Sequence, residues 1–169
     1  MPISLYQASV PVFARVLRNL RAILEKAQAH AKARNIEEDA LLNARLFPDM
    51  FNFIGQVQIV TDMARAGAAR LTGQEPPKME DTEKTFSQLY DRIDRTLAYV
   101  ESVGEKAFEG ADNRKIVRPV RGQQMEFTPA GYLQNFILPN LYFHAATAYG
   151  LLRHNGVELG KADFIGKLD

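Results

Sequence analysis

Apolar residues recur at three- and four-residue intervals along most of the chain, the spacing of helices with one buried face. From Leu5 to Arg34 the stripe is Phe13, Val16, Leu17, Leu20, Ile23, Leu24 and Ala27. Pro11 lacks an amide proton, so this helix is expected either to begin close to it, with Ser9 as cap, or to kink there. Asn35 to Asp49 reads as a connection with a short helical piece in NIEEDALLNARL, and Pro48 marks the next boundary. A second long helix is predicted from about Asp49 to Leu71, with Met50, Phe53, Ile54, Val57, Val60, Thr61, Ala64 and Ala68 on its stripe. Gly55 and Gly67 weaken its helicity but allow a neighbour to approach closely. Gly73, Pro76 and Pro77 stop it.

A third helix is predicted from near Asp81 to about Val103, with Phe86, Leu89, Tyr90, Ile93, Leu97 and Val100 facing the core. Its connection to the second is short, which favours antiparallel neighbours. Gly104 to Thr128 breaks the pattern. RKIVRPVRGQQMEFT is β-branched, holds Pro119 and Gly122, and predicts a small irregular hairpin. Thr128 followed by Pro129 reads as cap and first residue of a last helix, which runs to His154, bends at Pro139 and exits at Asn155-Gly156. Residues 157–169 are too few for a second domain and are expected to pack back. The whole predicts an all-α, single-domain four-helix bundle spanning residues 1–169, with a hairpin excursion before its last long helix.

Charge sharpens this picture. Residues 1–34 carry six basic residues and one acid, whereas residues 74–109 carry nine acids and five basic residues. The first and third helices are therefore expected to attract each other within the bundle. The formal net charge of +1 argues against a general nucleic-acid binder. The chain has no cysteine, which excludes disulfides, thiolate metal sites and cysteine nucleophiles. No apolar run approaches the roughly 20 residues that span a bilayer, and the N-terminal residues lack a secretion pattern, so a soluble, cytoplasmic protein is expected.

Candidate chemistry is sparse. Of the three histidines, His144 stands among Ile137, Leu141, Ala148 and Leu151 on the inward face, and His154 is ten residues away, outside metal-gripping spacing. On the second helix Gln58 and Asp62 share a face, with Gln56 on a neighbouring one; Asp62 and Arg65 are spaced for an ion pair. Tyr142 and Tyr149 share a face of the last helix, suited to a cleft or a helix pair. Arg114, Lys115, Arg118 and Arg121 surround the hairpin without an aromatic platform for single-stranded nucleic acid. No hydrolase triad, HExxH, paired ExxH or phosphate-binding P-loop is present.

The segment LPNLYFHAATAYGLLRHNGVELGKADFIG, with LFPDMFNFIGQVQIVTDMARAGAARLTGQEPP and DTEKTFSQLYDRIDRTLAYV, resembles the bacterial domain-of-unknown-function family 1993 over almost the whole chain. The resemblance implies a DinB/YfiT-like bundle, a clan that includes metal-dependent and thiol-transfer enzymes; the family itself has no established activity. Members of the clan typically hold a divalent metal with three histidines, one from the second helix and two from the last. Here the match falls on His144. Ala148 stands four residues later, and the second helix offers Gln56, Gln58 and Asp62 instead. The resemblance thus implies the fold without the full metal set. The leading expectation is a small polar ligand bound between helices, with no cofactor: His144 as acid or base, Gln58 and Tyr142 as ligand contacts, and Asp62 orienting His144. The alternatives are a metal-dependent transferase or hydrolase using His144 and Asp62, and a structural protein, for instance a homodimer.

Overall fold

A computed structural model describes residues 3–120 and 122–167. Helix α1, Leu5–Arg34, begins well before Pro11. Ser4 Oγ accepts the Gln7 amide at 3.1 Å while Gln7 Oε1 accepts the Ser4 amide at 3.1 Å, and this reciprocal cap sets the start. Ser9 is not the cap; it is buried, and its hydroxyl donates to the Leu5 carbonyl. After the short α2, Glu38–Leu42, helix α3 runs Phe53–Leu71. It starts later than the apolar stripe suggests because Asn52, not Asp49, provides the cap, accepting the Gly55 amide at 3.0 Å.

Helix α4, Phe86–Ser102, likewise starts later than Asp81. Thr85 Oγ1 accepts the Gln88 amide at 3.2 Å, and before it Asp81 and Glu83 turn to the side chain of Arg92 instead of extending the helix. Strands β1, Ile116–Val120, and β2, Gln123–Phe127, form an antiparallel hairpin in which Ile116 pairs with Phe127. Gly122 takes φ +79° in its turn, and Arg121 lies outside the described residues. Phe127 pins the hairpin to the bundle against Tyr132 and Phe136, with ring centroids 5.6 and 6.0 Å away. Thr128 caps α5, Pro129–Tyr132, by accepting the Gly131 amide at 3.1 Å. A π turn, Leu133–Ile137, carries the path into α6, Leu138–His154, and absorbs the missing donor of Pro139. Helix α7, Lys161–Ile165, folds back onto α1.

The four long helices do not alternate simply. Gln56 meets His144 while Gly67 meets Ile137, so α3 and α6 are antiparallel. Arg18 pairs with Glu101 and Arg21 with Asp94, so α1 and α4 are antiparallel and the expected basic-to-acidic attraction is made. Helices α3 and α4, however, are parallel: their first residues, Phe53 and Phe86, stand 6.3 Å apart between ring centroids. The antiparallel expectation for this pair is thereby corrected. An extended 14-residue connection at about 3.3 Å per residue easily spans the 19-residue α3 at about 1.5 Å per residue, so the chain returns along the bundle before α4 starts. The core joins the inward faces of all four helices, including Phe13, Leu17, Leu24, Phe53, Val57, Phe86, Ile93, Ile137 and Leu151. Among the described residues, no helix is long and apolar enough to cross a membrane.

Candidate functional site

The residues grouped by the sequence as one site lie on three separate faces. His144 projects from α6 toward α3, where its Nδ1 lies 2.7 Å from Gln56 Oε1. Gln56 is 1% exposed, and its Nε2 donates to the Phe51 carbonyl at 3.1 Å. That second bond orients the amide. Its oxygen faces the imidazole, so Nδ1 carries the proton and donates, and Nε2 keeps its lone pair. Burial pushes the His144 pKa below its ordinary value of 6.5, so the ring is neutral at physiological pH. Phe143 meets the His144 ring edge-on at 5.1 Å.

Asp62 and Gln58 do not join His144. They face α4 and the returning segment, where Arg92 is fully buried. Arg92 donates from Nη2 to Asp62 Oδ1 at 2.8 Å, from Nη1 to Glu83 at 3.1 Å, and from Nε to Thr61 Oγ1 at 2.7 Å; Asp81 lies 2.9 Å from Nη2. Gln58 Nε2 donates to Glu83 Oε2 at 2.9 Å, and Arg65 Nη2 donates to Asp62 at 2.6 Å. Asp62 thus orients two arginines rather than an imidazole. Gln56 and Gln58 are two residues apart and point about 200° apart on a helix, so only one of them reaches α6. Gln56, which the sequence offers beside Gln58 and Asp62 but not as a contact of the ligand, is the one that meets His144, and the organising residue, Arg92, is not singled out by the sequence reading. Arg92 had a legible signature: it stands three residues after Leu89 and one before Ile93, a charge inside an apolar stripe.

Tyr142 is separated from His144 by the same two-residue rotation and faces α1 and α7 instead. There it borders a cavity of about 190 Å³ lined by Val16, Leu20, Ile23, Ala145, Phe164 and Ile165, with Arg15 and Asn19 at its polar side. Asn19 Nδ2 donates to the Phe164 carbonyl at 3.0 Å, and Lys26 pairs with Asp163 at 2.7 Å, so two polar contacts hold α7 as one wall. Of the basic residues near the hairpin, Arg114 donates to the carbonyls of Leu71 and Glu109, and Lys115 pairs with Glu126 at 2.8 Å.

The donor set does not fit the three-histidine metal centre implied for the clan. His144 offers a single free imidazole nitrogen, Asp62 is committed to arginines, and no group of three or more His, Asp or Glu among the described residues is placed to hold a metal ion. An NMR titration of the His144 imidazole is expected to show the Nδ1–H tautomer and a midpoint below 6.5. The unfolded chain takes up this proton first as pH falls, so the contribution of His144 to stability is present above 6.5 and lost as the pH drops toward the lower folded value. A midpoint at or above 6.5, or an Nε2–H tautomer, would overturn the assignment.

A family model described as a domain of unknown function, DUF1993, matches residues 5–165. Among solved structures, a DinB family member protein from Shewanella denitrificans is 46% identical, with 97% of this chain and 93% of that chain covered and a TM-score of 0.92. No curated protein matches the chain.

Proposed function

For a chain that belongs to the DUF1993 family and has the DinB fold, we propose a ligand-binding role: the cavity between α1, α6 and α7 takes a small amphipathic molecule with an anionic head. The observation that carries this reading is the lining. The walls are apolar, while Arg15, Asn19 and Tyr142 offer donors on one side, so a ligand with a short hydrocarbon body and a carboxylate-like head satisfies both. Arg15 is exposed and makes no ion pair among the described residues, which leaves its charge available. The volume, about 190 Å³, exceeds the roughly 150 Å³ of an engineered apolar cavity that binds benzene. The polar ligand expected from the sequence is thereby revised to an amphipathic one, and its proposed seat moves from His144 to the opposite side of α6.

Titration with straight-chain carboxylates from butyrate to octanoate, followed through the methyl resonances of Val16, Leu20 and Ile23, tests the proposal. Saturable shifts confined to these methyls are expected. Ala145→Leu, which fills the cavity, should weaken binding by about tenfold or more, the effect of about 1.4 kcal/mol. Arg15→Gln should weaken carboxylates but not the corresponding alcohols. Absence of saturable shifts, or equal binding by the wild type and both variants, would sink the reading.

A further inference from the structure

Four buried polar atoms have no hydrogen-bond partner where α3 and α4 meet the returning segment: Arg65 Nε and Nη1, Arg70 Nη1 and the Tyr99 hydroxyl. Three contacts locate them. Arg70 faces Glu75 at 3.6 Å at the start of that segment. Met79 Sδ lies 3.9 Å from Thr96 Oγ1, one turn before Tyr99 on α4. Arg65 reaches Asp62 at 2.6 Å on the same side of α3. Helices α3 and α4 run parallel with Asp62 against Arg92, so Tyr99, seven residues after Arg92, is level with the turn of α3 between Arg65 and Arg70. Only 9% of the Arg65 side chain is exposed, yet two of its three nitrogens are unpaired.

A buried donor without an acceptor is costly, and more so when it is cationic. Water would satisfy the hydrogen bonds but not the charge. The nearby carboxylates leave these donors unpaired: Asp81 and Glu83 are taken by Arg92, Asp62 is shared between Arg65 and Arg92, and Glu75 is 90% exposed and at the outer limit of an ion pair. We propose that Arg65, Arg70 and Tyr99 form a binding site for a small oxyanion of the phosphate or sulfate class, seated between α3, α4 and residues 75–79. Guanidinium forks and a phenolic hydroxyl match the acceptor oxygens of such an ion. The Glu75 carboxylate is the internal competitor, and the arriving anion displaces it from Arg70.

Thermal unfolding in inorganic phosphate, against sodium chloride of equal ionic strength, tests the site. A saturable rise of about 5–10 °C is expected at a hundredfold excess over Kd. Tyr99→Phe and Arg70→Gln should reduce it to the chloride control. Glu75→Gln, at an exposed position, should keep the fold and shift the midpoint to lower phosphate. Glycerol 3-phosphate distinguishes the sources: a response to inorganic phosphate alone assigns a free ion, and a stronger response to the ester assigns a phosphorylated ligand. No rise beyond chloride overturns the proposal, as does an equal rise in Tyr99→Phe and Arg70→Gln. Ordered waters alone among the three side chains in a crystal grown from phosphate overturn it as well.

Discussion

Arg92→Met is expected to destabilise the protein by about 3–5 kcal/mol near pH 7, the cost of leaving the buried Glu83 carboxylate, with the partly exposed Asp62 and Asp81, without their shared cation. The guanidinium joins Asp62 on α3 to Asp81 and Glu83 on the returning segment, and it also accepts no competition from water, being fully buried. Methionine keeps much of the volume but none of the donors. The loss should be read from urea unfolding followed by circular dichroism, and it should shrink below about pH 4, where the orphaned carboxylates take up protons. In the wild type, burial disfavours the Glu83 carboxylate. Hydrogen bonds from Gln58, a backbone amide and Arg92 outweigh this and hold its pKa below the ordinary 4.5. The stability Glu83 contributes is therefore present above 4.5 and lost as pH falls through the lower folded value. Asp62 moves the other way, because burial raises its pKa more than Arg92 and Arg65 lower it. A variant as stable as the wild type at pH 7 would show that Arg92 does not hold the crossing segment in place.

Gly67→Ala should also destabilise, by about 1–2 kcal/mol, although alanine is the better helix former by about 1 kcal/mol. A Cβ at Gly67 would stand 2.8 Å from the Phe13 ring and 3.1 Å from Ile137 Cγ2. Phe13 is completely buried, so its ring has no open side to move into. Gly150 on α6 supplies the contrast, since a Cβ there meets nothing within 4 Å. Gly150→Ala is therefore expected to raise stability by about 0.5–1 kcal/mol. Equal effects of the two substitutions in denaturant melts would refute the close contact of α1, α3 and α6 at Gly67.

The two variants probe different kinds of information. Gly67 was legible as a place of close approach because a small residue interrupts an apolar stripe. The stripes themselves named the buried faces: Phe13, Leu17, Leu20 and Leu24 on α1, and Phe86, Leu89, Ile93 and Val100 on α4, are all core residues. Boundaries were less legible. Capping depends on whether one side-chain oxygen reaches one amide, which is why Ser4 rather than Ser9 starts α1 and Thr85 rather than a residue near Asp81 starts α4.

The candidate site was the least legible part. His144 was correctly placed toward the bundle, but its partner is Gln56 rather than Asp62, and Tyr142 borders a different space. Periodicity states which residues share a helical face; it does not state which helix that face meets. The helical elements, their buried stripes, the charge pairing of α1 with α4 and the incomplete three-histidine set are written in the order of residues. That α3 and α4 run parallel, that Asp62 and Gln58 serve Arg92, and that His144 and Tyr142 look away from each other emerges once the helices pack. Those outcomes turn on the path of one extended connection and on rotations of about 200° between residues two apart, and both depend on contacts far away in the chain.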